Sequence, residues 1–186
     1  MDYQLRRKTS KQMLWVAMVS IIMIFAGLTS AYVISTNRED WVHFNLPTAF
    51  YISTLLIICS SLSFILAKRA IKKDDKSQTG IFLSLSFLLG FAFVVSQFMG
   101  FKELIDAGLY FTGNKSNIAT SFIYVITVTH LVHVMAAVLV LLFIVFKQLK
   151  GGYSKDNYLG IELGSIFWHF LDILWIYLFL FFYFIR

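Results

Sequence analysis

Five stretches of this chain contain no Asp, Glu, Lys or Arg, and short polar clusters separate them. They run Gln12–Asn37, Trp41–Ala67, Ser77–Phe101, Ser116–Phe146 and Leu163–Leu171, the last continuing past a single Asp172 to Ile185. Crossing a bilayer core takes about 20 mostly apolar residues at helical rise. Each stretch meets that length if the fifth accommodates its acid. The pattern predicts helices at about 14–35, 46–70, 80–104, 117–147 and 159–184. A membrane β-barrel needs repeated short alternating segments, which these continuous runs do not supply. In lipid each backbone polar group must be satisfied inside its own segment, so the runs are read as helices. The expected fold class is all-α: a polytopic membrane protein with a five-helix bundle, forming a single domain over residues 1–186.

Composition agrees. Of 186 residues 59% are hydrophobic and 14% charged, against roughly 25% charged in a soluble domain. The net charge of +6 forms no continuous basic patch, so nucleic acid is not an expected partner. Cys59 is the sole cysteine, which excludes an intramolecular disulfide or a cysteine-based metal cluster within the chain. The basic start (Arg6, Arg7, Lys8, Lys11) resembles a signal peptide. The 26-residue apolar run behind it exceeds a signal core of about 7–15 residues, so it is read as a retained first span.

Orientation follows from the connections. The N-terminal segment carries four basic residues and Asp2; the second connection carries Lys68, Arg69, Lys72, Lys73 and Lys76 against Asp74 and Asp75. The fourth holds Lys147, Lys150 and Lys155 with Asp156, whereas Arg38, Glu39, Asp40, Lys102, Glu103, Asp106 and Lys115 leave the first and third balanced. The positive-inside bias predicts a cytoplasmic N-terminus and an external C-terminus. Pro47 is expected in the first turn of the second helix. Ala26, Gly27, Ser30 and Ala31 on helix one, and Gly90, Ser96 and Gly100 on helix three, are expected to admit close neighbours.

Ionisable residues within the last two runs carry the chemical signal. His130 and His133 are three apart, as are His169 and Asp172, so each pair shares a helix face. Glu162 lies near the cytoplasmic interface, seven residues before His169 on about the same face. At helical rise His130 is about 20 Å from the outer end of its helix and His169 about 15 Å from the inner end of its own. The two pairs can therefore meet at similar depth. A charge facing lipid costs at least a few kcal/mol, so these groups are expected to face the bundle, a partner subunit or lipid head groups. A structural polar network, haem b ligated by His130 and His169 with Gly164 near the ring, and a metal site on His130, His133, His169 and Asp172 are all compatible with the spacing. A transporter would need matched broken helices in two halves, which are not evident.

The run Phe167-Trp168-His169-Phe170-Leu171-Asp172-Ile173-Leu174-Trp175, with Glu162 preceding it, resembles the signature of subunit III of haem-copper oxidases. Thr129-His130-Leu131-Val132-His133-Val134 resembles that family's paired-histidine motif, and Gln97 stands where the family has a helix-three glutamine. Leu46-Pro47, Ser53-Thr54 and Ser60-Ser61 match an earlier helix. The resemblance spans about Lys11 to Tyr183. It implies a non-catalytic core subunit of a proton-pumping aa3-type terminal oxidase in a bacterial inner membrane. Such a subunit binds no haem or copper itself, supports assembly, stability and proton uptake, and holds phospholipid. Haem a and copper then belong to partner subunits, with subunit I the main contact beside subunit II and small or subunit IV-type chains. Enzyme activity, cytochrome c oxidase, belongs to the complex and not to the isolated chain. Gln97, His130, His133, Glu162, Trp168, His169, Asp172 and Trp175 are implied to form a structural network or a lipid or subunit contact. A quinol oxidase or nitric oxide reductase accessory subunit is the near alternative, and a self-contained b-type cytochrome the distant one. The chain departs from the family in having five helices where many members have seven. It also carries Ser20 where a glutamate is frequent, and Gln97-Phe98-Met99-Gly100 where an acid often follows the glutamine.

Overall fold

A computed structural model describes residues 3–38, 41, 45–113 and 117–185. Five helices follow in order: α1 Tyr3–Ser35, α2 Thr48–Lys72, α3 Lys76–Asp106, α4 Ile118–Leu149 and α5 Leu159–Ile185. All five are long and apolar enough to cross a membrane. Among the described residues no strand forms, and only an isolated bridge joins Ser154 and Asn157. Asp2, Glu39, Asp40 and Lys115, which enter the charge argument, lie outside the described residues.

The spans stand where the apolar runs predict them, but α1 starts at Tyr3 rather than near residue 14. Hydrocarbon length locates a membrane crossing, not a helix end. The basic segment before the crossing stays helical, which places Arg7 and Lys11 one turn apart. Pro47 is the residue before α2 rather than part of its first turn. Its side chain offers no cap. Glu103, at the end of α3, takes that role: its carboxylate accepts from Thr48 N at 2.6 Å, Thr48 Oγ1 at 2.9 Å and Ala49 N at 3.3 Å. An anion there also suits the positive end of the α2 dipole. Asp75 caps α3 through Gln78 N, and Asn117 caps α4 in a reciprocal box with Thr120. Gly151, at φ +71°, turns the chain at the end of α4, a backbone conformation that glycine adopts without Cβ strain.

Helices α2, α3, α4 and α1 follow one another around the bundle, and α5 packs on α2, α4 and α1. No Cα of α1 comes within 8 Å of a Cα of α2. Small residues let α2 and α3 approach closely, and hydroxyls tie them: Ser60 donates to Ser86 O at 2.9 Å, Ser63 to Phe82 O at 2.9 Å and Ser96 to Ala49 O at 3.0 Å. Gly90 and Gly100 are close-packing sites as expected. A Cβ on Gly90 would lie 2.5 Å from the Trp168 ring, and one on Gly100 would meet the Phe50 ring. The α1 patch differs. Ala26, Gly27 and Ser30 point outward, and a Cβ on Gly27 would meet no other described part of the fold within 4 Å.

Candidate functional site: a polar column through the bundle

Three levels of polar contact link α5 to its neighbours. Residues seven apart return to nearly the same helix face, and α2 presents Thr54, Ser61 and Lys68 at that interval. Toward the end of the bundle away from the N-terminus, Trp175 Nε1 donates to Thr54 Oγ1 at 3.0 Å. At mid-depth, Ser61 Oγ and His169 Nδ1 are 2.7 Å apart, and Asp172 Oδ2 lies 3.7 Å from the same nitrogen. At the end of the bundle that holds the N-terminus Glu162 is clasped by α1. Arg7 Nε and Nη2 each donate to it at 2.8 Å, and Lys11 Nζ at 2.7 Å. Lys68 interacts with Glu162 electrostatically. Two cations thus bind one carboxylate within the field of a third, at the end of the bundle where the basic connections gather.

The remaining predicted residues divide between packing and tethering. Gln97 is buried and its Nε2 donates to Ser53 Oγ at 2.9 Å, joining α3 to α2. Trp168 is buried and seated over Gly90. His130 is 1% exposed. The Trp175 ring stacks on it with centroids 5.3 Å apart, while Phe25 and Phe93 meet it edge-on at 6.1 and 6.3 Å. His133 Nδ1 bonds its own helix at Thr129 O, 2.7 Å away, and its ring lies 6.0 Å from Phe25.

The two histidine-bearing pairs do not form a common site. His130 sits in a box built by α1, α3 and α5, whereas His169 turns to Ser61 and Phe64 of α2. Depth along a helix follows from residue number, but azimuth does not, and azimuth separates them. Among the described residues no three His, Cys, Asp or Glu side chains are grouped as metal ligands. Aromatic rings already occupy the faces of His130. Glu162 likewise reaches α1 rather than a partner near His169.

Above the clasp runs an apolar cavity of about 350 Å³ between α4 and α5, which Leu14, Phe64, Leu163, Phe167 and Tyr153 help to line. Leu14 is one turn beyond Lys11, so a cationic cluster and an apolar slot adjoin. Tyr153, in the loop before α5, is buried beneath the Lys147 ammonium, 4.7 Å from its ring. Burial pushes its phenol above the ordinary range. The sequence reading missed Arg7, Lys11, Ser61, Thr54 and Glu103. The seven-residue interval of Thr54, Ser61 and Lys68 on α2, answered by Glu162, His169 and Trp175 at intervals of seven and six on α5, is the signal that points to the column.

A multi-pass helical membrane protein emerges, its buried polar groups spent on tying helices together. The sequence model described as cytochrome c oxidase subunit III matches residues 8–186. The chain is 30% identical over 174 residues to the cytochrome c oxidase subunit 3 of Thermostichus vulcanus, covering 89% of this chain and 82% of that one. It is 31% identical over 175 residues to the cytochrome bo(3) ubiquinol oxidase subunit 3 of Buchnera aphidicola from Acyrthosiphon pisum, covering 91% and 83%. With the corresponding Bacillus sp. PS3 cytochrome c oxidase subunit 3 it shares 26% over 170 residues, covering 89% and 80%. The chain belongs to the cytochrome c oxidase subunit III family, whose members are parts of terminal oxidases.

Proposed function

We propose that the chain is the non-catalytic subunit III of a proton-pumping aa3-type oxidase in a bacterial inner membrane, with its N-terminus cytoplasmic. The observation that carries this is the enclosure of His130 by Trp175, Phe25 and Phe93. A haem-ligating imidazole needs an open ring nitrogen facing iron, and this one is walled by side chains of its own fold. Haem a and copper then reside in partner subunits. Subunit I is the main contact, with subunit II and smaller chains beside it. Support of assembly, stability and proton uptake is the role of the rigid bundle. The electron donor has two readings. Relatives named for cytochrome c and for ubiquinol match at similar identity, and that similarity keeps a quinol oxidase as the second.

Phospholipid is the proposed small-molecule partner. Arg7 spends Nε and Nη2 on Glu162, which leaves Nη1, and Lys11 keeps further ammonium hydrogens. These donors lie beside the apolar slot of about 350 Å³, a pairing that suits a phosphate above an acyl chain. The test is oxygen consumption by the purified assembly with and without this chain. The assembly keeps initial turnover without it and loses activity faster during turnover; the isolated chain consumes no oxygen. Oxygen reduction by the isolated chain would overturn the proposal.

A further inference from the structure

The mid-depth contact leaves one ring atom unaccounted for. His169 Nδ1 faces Ser61 and Asp172. Among the described residues none bonds Nε2, and the side chain is 24% exposed. His169 stands ten residues from Leu159 and sixteen from Ile185 on α5, hence about 15 Å and about 24 Å from the two helix ends. Lipid head groups do not reach that depth. An open imidazole nitrogen in hydrocarbon forfeits its hydrogen bond.

The surroundings have the form of a seat. Helices α1 and α2 both pack on α5, with no Cα of one within 8 Å of a Cα of the other, and the outward strip of α5 lies in the valley between them. His169 turns to the α2 side, where Ser61 and Phe64 meet it. On the α1 side Ile173 and Tyr177 border a groove of about 420 Å³ with Ile22 and Ala26. Ile173, one turn beyond His169, is 68% exposed. Small residues at the α1 rim, Ala26 and Ser30, leave room for a neighbouring backbone.

Chemistry narrows the occupant. Ser61 Oγ engages Nδ1 at 2.7 Å, and neither Asp172 oxygen, the nearer 3.7 Å away, is hydrogen-bonded among the described residues. Nε2 therefore keeps one hydrogen-bonding position of its own, accepting when Nδ1 carries the proton and donating when Nε2 does. We infer that the valley between α1 and α2 seats a transmembrane helix of another oxidase subunit, whose side chain hydrogen-bonds His169 Nε2 at mid-membrane. The partner group is a hydroxyl or a side-chain amide, which serves either tautomer. The inference rests on the oxidase-subunit reading and adds to it the face and the atom.

The experiment uses the assembled complex in native membranes. With p-benzoylphenylalanine replacing Ile173, irradiation joins this chain to a different membrane-spanning polypeptide. Adducts with lipid alone, or with a second copy of this chain, overturn the inference. A second arm compares variants in which one nitrogen is mimicked at a time. His169→Gln places an amide near the Nε2 position and His169→Asn near Nδ1. Retention on a tagged partner subunit through detergent washing should fall about threefold to tenfold for His169→Asn and His169→Phe, and stay near wild type for His169→Gln. The opposite order, Asn retained and Gln lost, would mean that only the Ser61 contact matters and sinks the claim. A wild-type chain that co-purifies with no oxidase removes the underlying reading instead, and the inference with it.

Discussion

Replacing Glu162 by Gln keeps the shape of the side chain and removes the charge that three cations share. Arg7 and Lys11 lie 2.7–2.8 Å from its oxygens. The carboxylate side chain is 10% exposed and the two cations 32% and 33%. Breaking a buried pair costs about 3–5 kcal/mol, whereas an exposed one is worth about 0–1. Solvent screening of the half-exposed cations places this clasp between those limits, at about 2 kcal/mol. The loss is local. Met18, Phe25 and Tyr32 still bury the rest of α1, so only its N-terminal end should open. About 2 kcal/mol corresponds to roughly a 30-fold larger open population. Trypsin cleavage after Lys11, measured on the assembled protein in membranes, should accelerate by about that factor if opening precedes cutting. Exchanging the charges, with Arg7→Glu and Glu162→Arg together, should recover part of the loss. Unchanged cleavage in Glu162→Gln, or equal acceleration at the other basic connections, would refute a local electrostatic clasp.

Other positions yield separate expectations. Gly90→Ala puts a methyl 2.5 Å from the Trp168 ring, and overpacking of that kind costs about 1–3 kcal/mol; a thermal melt of the purified complex should shift down, and an unchanged midpoint would contradict the packing. Glu103→Ala uncaps α2 at Thr48, with a loss of about 1 kcal/mol, and hydrogen exchange should quicken at Thr48 and Ala49 but not at Asn117. Thr54→Val strips the acceptor from Trp175 Nε1 at 3.0 Å and should cost about 0.5–1.5 kcal/mol, read as a red-shift-free loss of stability with tryptophan emission otherwise preserved.

Much of the fold lies open in the order of residues because lipid permits so few solutions. Charge-free runs of sufficient length fix the number and approximate position of the spans. Helix ends depend instead on local partners: α1 extends to Tyr3 because its basic turn remains helical and reaches Glu162, while α2 begins at Thr48 under a cap supplied by Glu103. No local pattern announces a cap donated from 55 residues away. Azimuth is the other hidden variable. His130 and His169 have compatible depths, yet packing turns one into an aromatic box and the other toward Ser61. Small residues are similarly ambiguous: Gly90 receives Trp168, while Gly27 on α1 faces outward. Recognition of the Trp168-His169-Phe170-Leu171-Asp172 block identifies the family, but the tasks of its side chains come from the helices that meet them.

The most direct measurement is purification of the native assembly with its subunits identified and its haem and metals assigned to particular chains. The account predicts this chain in stoichiometric amount with a larger subunit carrying haem a and copper, and no Soret absorption from the chain by itself. A Soret band in the separated chain that disappears in His130→Ala would contradict it.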